Sequence, residues 1–336
     1  MTAETVHYQP SDAMAVYTQL SNEDIAAVVS DTYGLGTLSY ALGIAQGVEN
    51  SNYLLGVAVA AGVEQKYILT LYEKRVAVAD VPFFLGLMQH LAARGIACPQ
   101  PVPRRDGALH GEVAGKQAAL VTFLEGKSRT RFEVAHVASM GAALAKLHGA
   151  VDGFAGTRAN SLSLSGWQQL SAKIALRIDD IQVGLKVLVE DELAFLSTHW
   201  PRDLPRGIIH ADAFPDNVFF IGDEVSGIID FYFACDDFFA YDLAITINAW
   251  CFEQGREFNR TKSQAMLAAY QRVRALNDAE KAALPVLMRG AALRFLLTRA
   301  HDWLFHEKSA LVTPKDPLEY VAKLRFHQME AAGGQP

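Results

Sequence analysis

"IIHADAFPDNVFFIGDEVSGIIDFYFA", residues 208–234, is the stretch on which the fold turns. Val218 to Ile221 and Val225 to Ile229 are two short β-favouring runs, with Gly222, Asp223 and Glu224 supplying turn chemistry between them. The pattern predicts a β-hairpin. With a loop from Gly222 to Val225, antiparallel pairing sets Ile221 opposite Ser226 and carries Asn217 opposite Asp230 at the open end. An amide and a carboxylate then converge at one place, with a second carboxylate, Asp212, five residues upstream on a loop. Mg²⁺ prefers such hard oxygen donors and binds phosphates while using one or two protein carboxylates, which leaves Asp212 free to act as a base. Taken singly, Asp212, Asp216 and Asn217 need be no more than turn formers; the set in hairpin register is what points to a cation site.

Outward from this stretch, the two halves of the chain differ in pattern. Residues 21 to 31 have a helical pattern opened by Ser21 or Asn22, with Asp24 in the first turn. Three antiparallel strands are expected between Leu38 and Tyr72, separated by Gly47 to Asn50 and Ala61 to Gln65. Residues 81 to 95 predict an amphipathic helix ended at Gly95, and "GALHGEVAGKQAALVTFLEG" two further strands meeting at Val113 to Lys116. Beyond about Gly126 helical periodicity dominates: "FEVAHVASMGAALAKLHGA", then residues 167 to 197, 240 to 253, 261 to 275 and 279 to 304. His148 in the first of these helices is expected to be a packed structural histidine. The result is a small α+β lobe followed by a larger, mainly helical lobe.

Composition excludes more than it assigns. A chain of 336 residues can hold two cores, and a formal net charge of −7 argues against nucleic acid or an anionic membrane as partner. Cys98, Cys235 and Cys251 form no C-x-x-C pair, so the natural setting is a reduced cytoplasm. "MTAETVHYQPSDA" lacks the apolar core of a secretory signal, and no uncharged apolar run is long enough to span a bilayer. Residues 1–13 have no apolar periodicity and are expected to be a disordered extension.

"H-A-D-A-F-P-D-N" followed by "I-I-D-F" resembles the catalytic loop and metal-binding strand of the aminoglycoside-phosphotransferase and choline-kinase superfamily, a small-molecule branch of the protein-kinase-like fold. The resemblance implies a bilobal fold, with an antiparallel sheet in a nucleotide-binding N-terminal lobe, residues 14–125. It implies a helical, catalytic and acceptor-binding C-terminal lobe, residues 126–336. By position, Asp212 matches the catalytic aspartate facing the acceptor hydroxyl, and Asn217 and Asp230 match the metal ligands. His210 matches a loop-organising residue rather than a proton carrier, and Asp242 in "Y-D-L-A" a buried aspartate that braces the loop. The backbone at Phe123, Leu124 and Glu125, within the expected hinge Val121–Lys127, would meet the adenine edge. The connection Gly47, Val48, Glu49, Asn50 and Ser51 is the better placed of two glycine-containing stretches for meeting phosphates. The other, Gly34 and Gly36 in "YGLGTLS", lacks a preceding strand and reads as a turn.

Within that superfamily, "QGVENSNYLL", "YILTLYEKR", "IIDFYFACDDFFAYDLAITINAWC" and "KDPLEY" resemble its homoserine-kinase branch over nearly all of the chain after residue 13. The implied chemistry is ATP- and Mg²⁺-dependent phosphorylation of L-homoserine on the way to threonine, by a cytoplasmic monomer or homodimer. One departure stands out: the superfamily commonly places Lys or Arg on the third strand in a pattern like "Y-V-L-K", and "Y-I-L-T" has Thr70 there. That leaves a nucleotide-binding pseudokinase as one alternative, and choline, methylthioribose or aminoglycoside kinases as others. Acceptor identity stays open from the residues themselves. Tyr232, Phe233 and Phe238 suit an aromatic cage, while Asp236 or Asp237 suits an ammonium. Arg294 and Arg299 interrupt an apolar helical run, where either can clamp a carboxylate or pair with Asp302 or another acid.

Overall fold

A computed structural model describes residues 18–44, 50–60, 62–73, 76–306, 314–331 and 333. Residues 1–13 lie outside the described residues, as do Gly47, Val48 and Glu49 of the expected phosphate loop. The chain divides into two compact units. One contains the residues up to Gln89 together with Pro99–Leu124, and the other contains His90–Cys98 and the chain from Glu125 onward. A single cut near residue 125 therefore misses the 90–98 segment. That segment is tied into the second unit, where His90 Nε2 lies 3.0 Å from the Ala150 carbonyl and the Ile228 N–H donates to the Ala97 carbonyl.

In the first unit α1, Asn22–Ala27, opens on a capping box in which Ser21 and Asp24 satisfy each other's backbone N–H, and it continues as a π turn, Val28–Tyr33. Gly34 ends that turn in the left-handed region, the turn role expected of it. A five-stranded antiparallel sheet follows: β1, Thr37–Ile44; β2, Asn50–Ala60; β3, Val63–Tyr72; β4, Gly111–Val113; and β5, Lys116–Thr122, in the order β1-β2-β3-β5-β4. One face of the sheet, through Leu55, Val57, Leu69, Leu71 and Leu120, packs on Ile25, Val28 and Val29. The helix α2, Val81–Ala93, is followed by Gly95 at φ 79°, where the sequence placed its end.

The second unit holds α3, Val134–Ala150; α4, Leu164–Ile174; α5, Leu185–His199; α6, Phe239–Trp250; α7, Arg260–Val273; α8, Asp278–Phe305; and α9, Leu318–Ala331. The single helix expected over 167–197 is two. The intervening residues form a 3₁₀ turn at Ile178–Asp180 and meet Gly184 at φ 88°, while Leu176 and Val183 stand in solvent, so the apolar period there does not reflect a buried face. Two ribbons carry the site: β6, Arg206–Ile209, with β9, Cys235–Phe238, and β7, Val218–Ile221, with β8, Glu224–Ile228. A third small ribbon pairs β10, Phe252–Glu253, with β11, Glu257–Phe258.

The predicted hairpin is β7–β8, in a different register. Its turn has two residues, with Gly222 at φ 60° in first position, so Ile221 faces Glu224 rather than Ser226. A bulge at Ser226 then shifts the ladder, and the Ile229 N–H donates to the Asn217 carbonyl at 2.9 Å. Asn217 thus opposes Ile229, one residue short of the expected Asp230.

Candidate active site

β6 delivers the chain into a loop, His210–Asn217, whose backbone is held from several sides. Asp242, in the first turn of α6 and wholly buried, accepts the His210 N–H on Oδ2 and the Ala211 N–H on Oδ1, each at 2.8 Å. His148, from α3, donates its Nε2–H to the same Oδ2 at 3.0 Å. Burial opposes the charge on Asp242, yet these donors and the neighbouring histidines hold its carboxyl below the ordinary range. His148 is therefore more than packing. Its Nδ1 accepts from the Tyr270 hydroxyl at 2.7 Å, and Tyr270 in turn accepts from Arg274 at 3.3 Å, which pairs with Glu280 at 2.8 Å.

His210 has both ring nitrogens committed. Nε2–H donates to the Ile229 carbonyl at 3.0 Å, and Nδ1 accepts the Asp212 N–H at 3.2 Å. That pattern fixes one neutral tautomer, and burial pushes its pKa down further. It positions the loop and has no nitrogen left for a proton, as the family resemblance implied. Ala211 at φ 62° and Asp230 at φ 64° both sit in the left-handed region, which is sparsely used by non-glycine residues and clusters at functional sites. The strain is held by the surrounding bonds: the Arg294 guanidinium donates to the Ala211 carbonyl at 2.6 Å, and Trp250 Nε1–H to the Ala213 carbonyl at 2.7 Å.

Asn217 bridges back to the loop. Its Nδ2 donates to the Asp212 carbonyl at 2.9 Å and to Asp212 Oδ2 at 3.1 Å. Those bonds commit the amide nitrogen and direct Oδ1 elsewhere, while the Asn217 carbonyl binds the N–H of Ile229, the residue before Asp230. One amide oxygen and one carboxylate form a donor set suited to Mg²⁺ on phosphates rather than to a metal caged by protein. No group of three or more His, Cys, Asp or Glu that could hold a metal occurs among the described residues.

The other predicted site residues scatter. Asn50 and Ser51 begin β2 with buried side chains turned to internal bonds: Asn50 Oδ1 accepts from the Glu73 N–H at 3.3 Å, and Ser51 Oγ donates to Glu73 Oε1 at 2.8 Å. Thr70 is buried and donates to Asn52 Oδ1 at 2.8 Å, so this position supplies a structural cross-strand bond where the superfamily has a cation. Phe123 donates its N–H to the Lys66 carbonyl at 3.3 Å and its ring receives the Lys66 ammonium at 5.2 Å; Leu124 ends the first unit. Glu125 opens the second, its carbonyl accepting from Ser226 Oγ at 2.8 Å.

The predicted acceptor set is not brought together. Tyr232 lies in a 3₁₀ turn, Phe231–Phe233, after Asp230. Asp236 and Asp237 lie on β9 opposite Ile208 and Gly207, lining a cavity of about 630 Å³ with Arg158, Asn160 and Arg206. There Asp236 pairs with Arg206, and burial raises the Asp237 carboxyl, which accepts from Asn160 at 2.7 Å. Arg294 is 2% exposed and occupied behind the catalytic loop. Arg299 is bound to Glu319 at 2.7 Å and to the Asp316 carbonyl at 3.1 Å. Each arginine is thus engaged by a group of the protein itself.

A rigid loop carboxylate beside an amide-and-carboxylate pair is the arrangement that phosphoryl transfer to a hydroxyl uses. Residues 41–276 match the model of the phosphotransferase enzyme family. A homoserine kinase of Rhizobium rhizogenes is 55% identical over 96% of this chain and 98% of its own, and one of Rhodospirillum rubrum is 56% identical over the same shares. Among solved structures, the amicoumacin kinase hAmiN superposes with a TM-score of 0.68 at 16% identity, covering 94% of each chain. The chain belongs to the phosphotransferase enzyme family and, within it, to the family of these homoserine kinases.

Proposed function

We propose that this protein transfers the γ-phosphoryl group of ATP to the hydroxyl of L-homoserine, giving ADP and O-phospho-L-homoserine, a step toward threonine. The observation that carries it is the 55% identity to a homoserine kinase across 96% of the chain, with Asp212, Asn217 and Asp230 in the geometry described. Asp212 orients the acceptor hydroxyl and takes its proton as the phosphoryl moves in line. Asn217, through Oδ1, and Asp230, through its carboxylate, would hold Mg²⁺, which supplies charge neutralisation on the phosphates. The Asn217 bond to Asp212 Oδ2 couples the two tasks, since one side chain fixes both base and metal ligand. Cys98, Cys235 and Cys251 are buried, each thiol pushed up to about 12 by burial, and a place in the reduced cytoplasm belongs to this reading.

ADP release across homoserine, serine, choline and methylthioribose tests the substrate, and homoserine is expected to give the highest kcat/KM. Asp212→Asn is expected to lower kcat by roughly 10²–10⁴-fold, the range for a positioned base, with KM for ATP changed little. Preference for choline, or near-normal turnover by the Asn variant, would overturn the assignment.

A further inference from the structure

With both predicted arginines occupied, the acceptor needs another receptor for its ammonium and carboxylate. A cavity of about 400 Å³ lies directly beside the catalytic loop, with Phe214, Pro215 and Asp216 forming one wall. The Phe214 N–H donates to the Asp212 carbonyl at 2.8 Å, so this wall is tied to the backbone of the residue that carries the base. Arg129, Lys315, Glu319 and Lys323 complete its charged lining. Fixed charge of both signs therefore faces one small space, which suits a zwitterion better than a cation or an anion alone.

The deeper charges are spoken for. Lys323, 2% exposed, donates to the Asn248 carbonyl at 2.9 Å and to Glu319 Oε1 at 2.6 Å. Burial opposes the charge on Glu319, but Lys323 and Arg299 on its two oxygens lower its pKa from the ordinary value. The outer pair differs. Lys315 Nζ meets Asp216 Oδ2 at 2.9 Å, and the two side chains are 56% and 61% exposed. An ion pair so exposed to water contributes little, so exchanging its partners is inexpensive.

We propose that the Lys315–Asp216 pair opens to receive the acceptor amino acid, Asp216 binding its ammonium and Lys315 its carboxylate; this rests on the homoserine reading above. Each side chain trades one opposite charge for another, so no charge is left uncompensated when substrate enters or product leaves. Asp216 lies four residues after Asp212 and next to Asn217, so an ammonium bound there is held by the same loop that carries the base.

The test is steady-state kinetics of the wild type, Lys315→Met and Asp216→Asn with ATP and three acceptors: homoserine, 3-aminopropan-1-ol, which lacks the carboxylate, and 4-hydroxybutyrate, which lacks the ammonium. Lys315→Met is expected to lower the kcat/KM ratio of homoserine to 3-aminopropan-1-ol about tenfold or more. Asp216→Asn should do the same for the ratio of homoserine to 4-hydroxybutyrate, mainly through KM, while KM for ATP stays within about twofold in both. Magnitudes follow from the strength of charge-assisted contacts. If the wild type turns over homoserine but both ratios are unchanged in the variants, the pocket assignment alone is overturned. If the wild type shows no homoserine-dependent ADP release, the substrate reading falls and the proposal falls with it.

Discussion

Replacing Asp242 by Asn removes one oxygen and one charge from a site where three donors converge. The His210 N–H, the Ala211 N–H and His148 Nε2–H all point at the carboxylate within 3.0 Å. An asparagine oxygen can accept two of them, and its NH₂ must then face the third, leaving a buried donor against a donor. One unsatisfied buried donor costs about 1–3 kcal/mol, and weakening two charge-assisted bonds to neutral ones adds roughly 1 kcal/mol each. Relief from burying a charge returns part of this. A net loss of about 2–4 kcal/mol is expected, or roughly 2–4 °C in Tm per kcal/mol for a domain of this size. The unbraced loop can also relax from the left-handed conformation at Ala211, which moves Asp212 and should lower kcat by tenfold or more. Thermal unfolding followed by Trp fluorescence is well suited, because Trp250 is bonded to the loop at Ala213. An Asn variant with Tm within about 1 °C of wild type and kcat within twofold would refute the bracing role, since the shift expected is several times larger.

Three further outcomes follow from the same structure. His148, His210 and His327 are all lowered by burial, His327 to about 3, so the folded state binds fewer protons than the unfolded chain below the ordinary histidine pKa of about 6.5. Stability is therefore complete above that pH and falls below it; between pH 7.5 and 5.5 His327 alone removes about 1.4 kcal/mol, measurable by urea midpoints, with the other two acting in the same direction. Arg289 binds Glu192 in bidentate fashion at 2.8 and 2.6 Å in a buried setting; Arg289→Met should cost about 3–5 kcal/mol and the double change with Glu192→Met much less, as a double-mutant cycle will show. Arg294→Met should lower kcat and Tm while leaving KM for homoserine near normal, the opposite of what an acceptor-clamping arginine would give; a selective rise in that KM would restore the clamping role.

Local chemistry made much of this chain legible. The Ser21–Asp24 capping box, the strands around Gly222, the helix stop at Gly95 and the turn at Gly34 are all short-range patterns, and each lies where the sequence put it. Asn217 and Asp230 flank one short hairpin, so spacing brought them close to register, while Asp242 was legible only through the family resemblance. The turn of two residues moved the pairing by two positions and the bulge at Ser226, which no periodicity announces, returned one of them, so Asn217 stands one residue from its expected partner. The acceptor residues were another matter. Lys315 and Asp216 are 99 positions apart, and Arg294 and Ala211 are 83 apart, so their pairings belong to the packing of α8 and the segment before α9 on the loop. An arginine in an apolar helix looks the same in sequence whether it faces a ligand or a carbonyl. The helix break at 175–184 was hidden because Leu176, Ile181 and Val183 continue an apolar period without a core to meet it.

The bonds of the catalytic loop explain why so much buried polarity is tolerated around it. The backbone N–H groups of His210, Ala211, Asp212 and Phe214 and the carbonyls of Ala211, Asp212 and Ala213 each have a named partner. Those partners come from α6, α8 and the loop itself. A loop held at every peptide cannot adjust to its substrate, and phosphoryl transfer gains from that, because the base must already stand in line when the phosphates arrive. The charges that remain exposed, Asp216 and Lys315, are those that a changing occupant would need to meet. Rigidity is concentrated in the loop that carries the base, and exposure at the pair proposed to meet the acceptor. A change of acceptor within this fold should therefore be sought in the Asp216–Lys315 pocket, with His210, Asp242 and Arg294 left as they are.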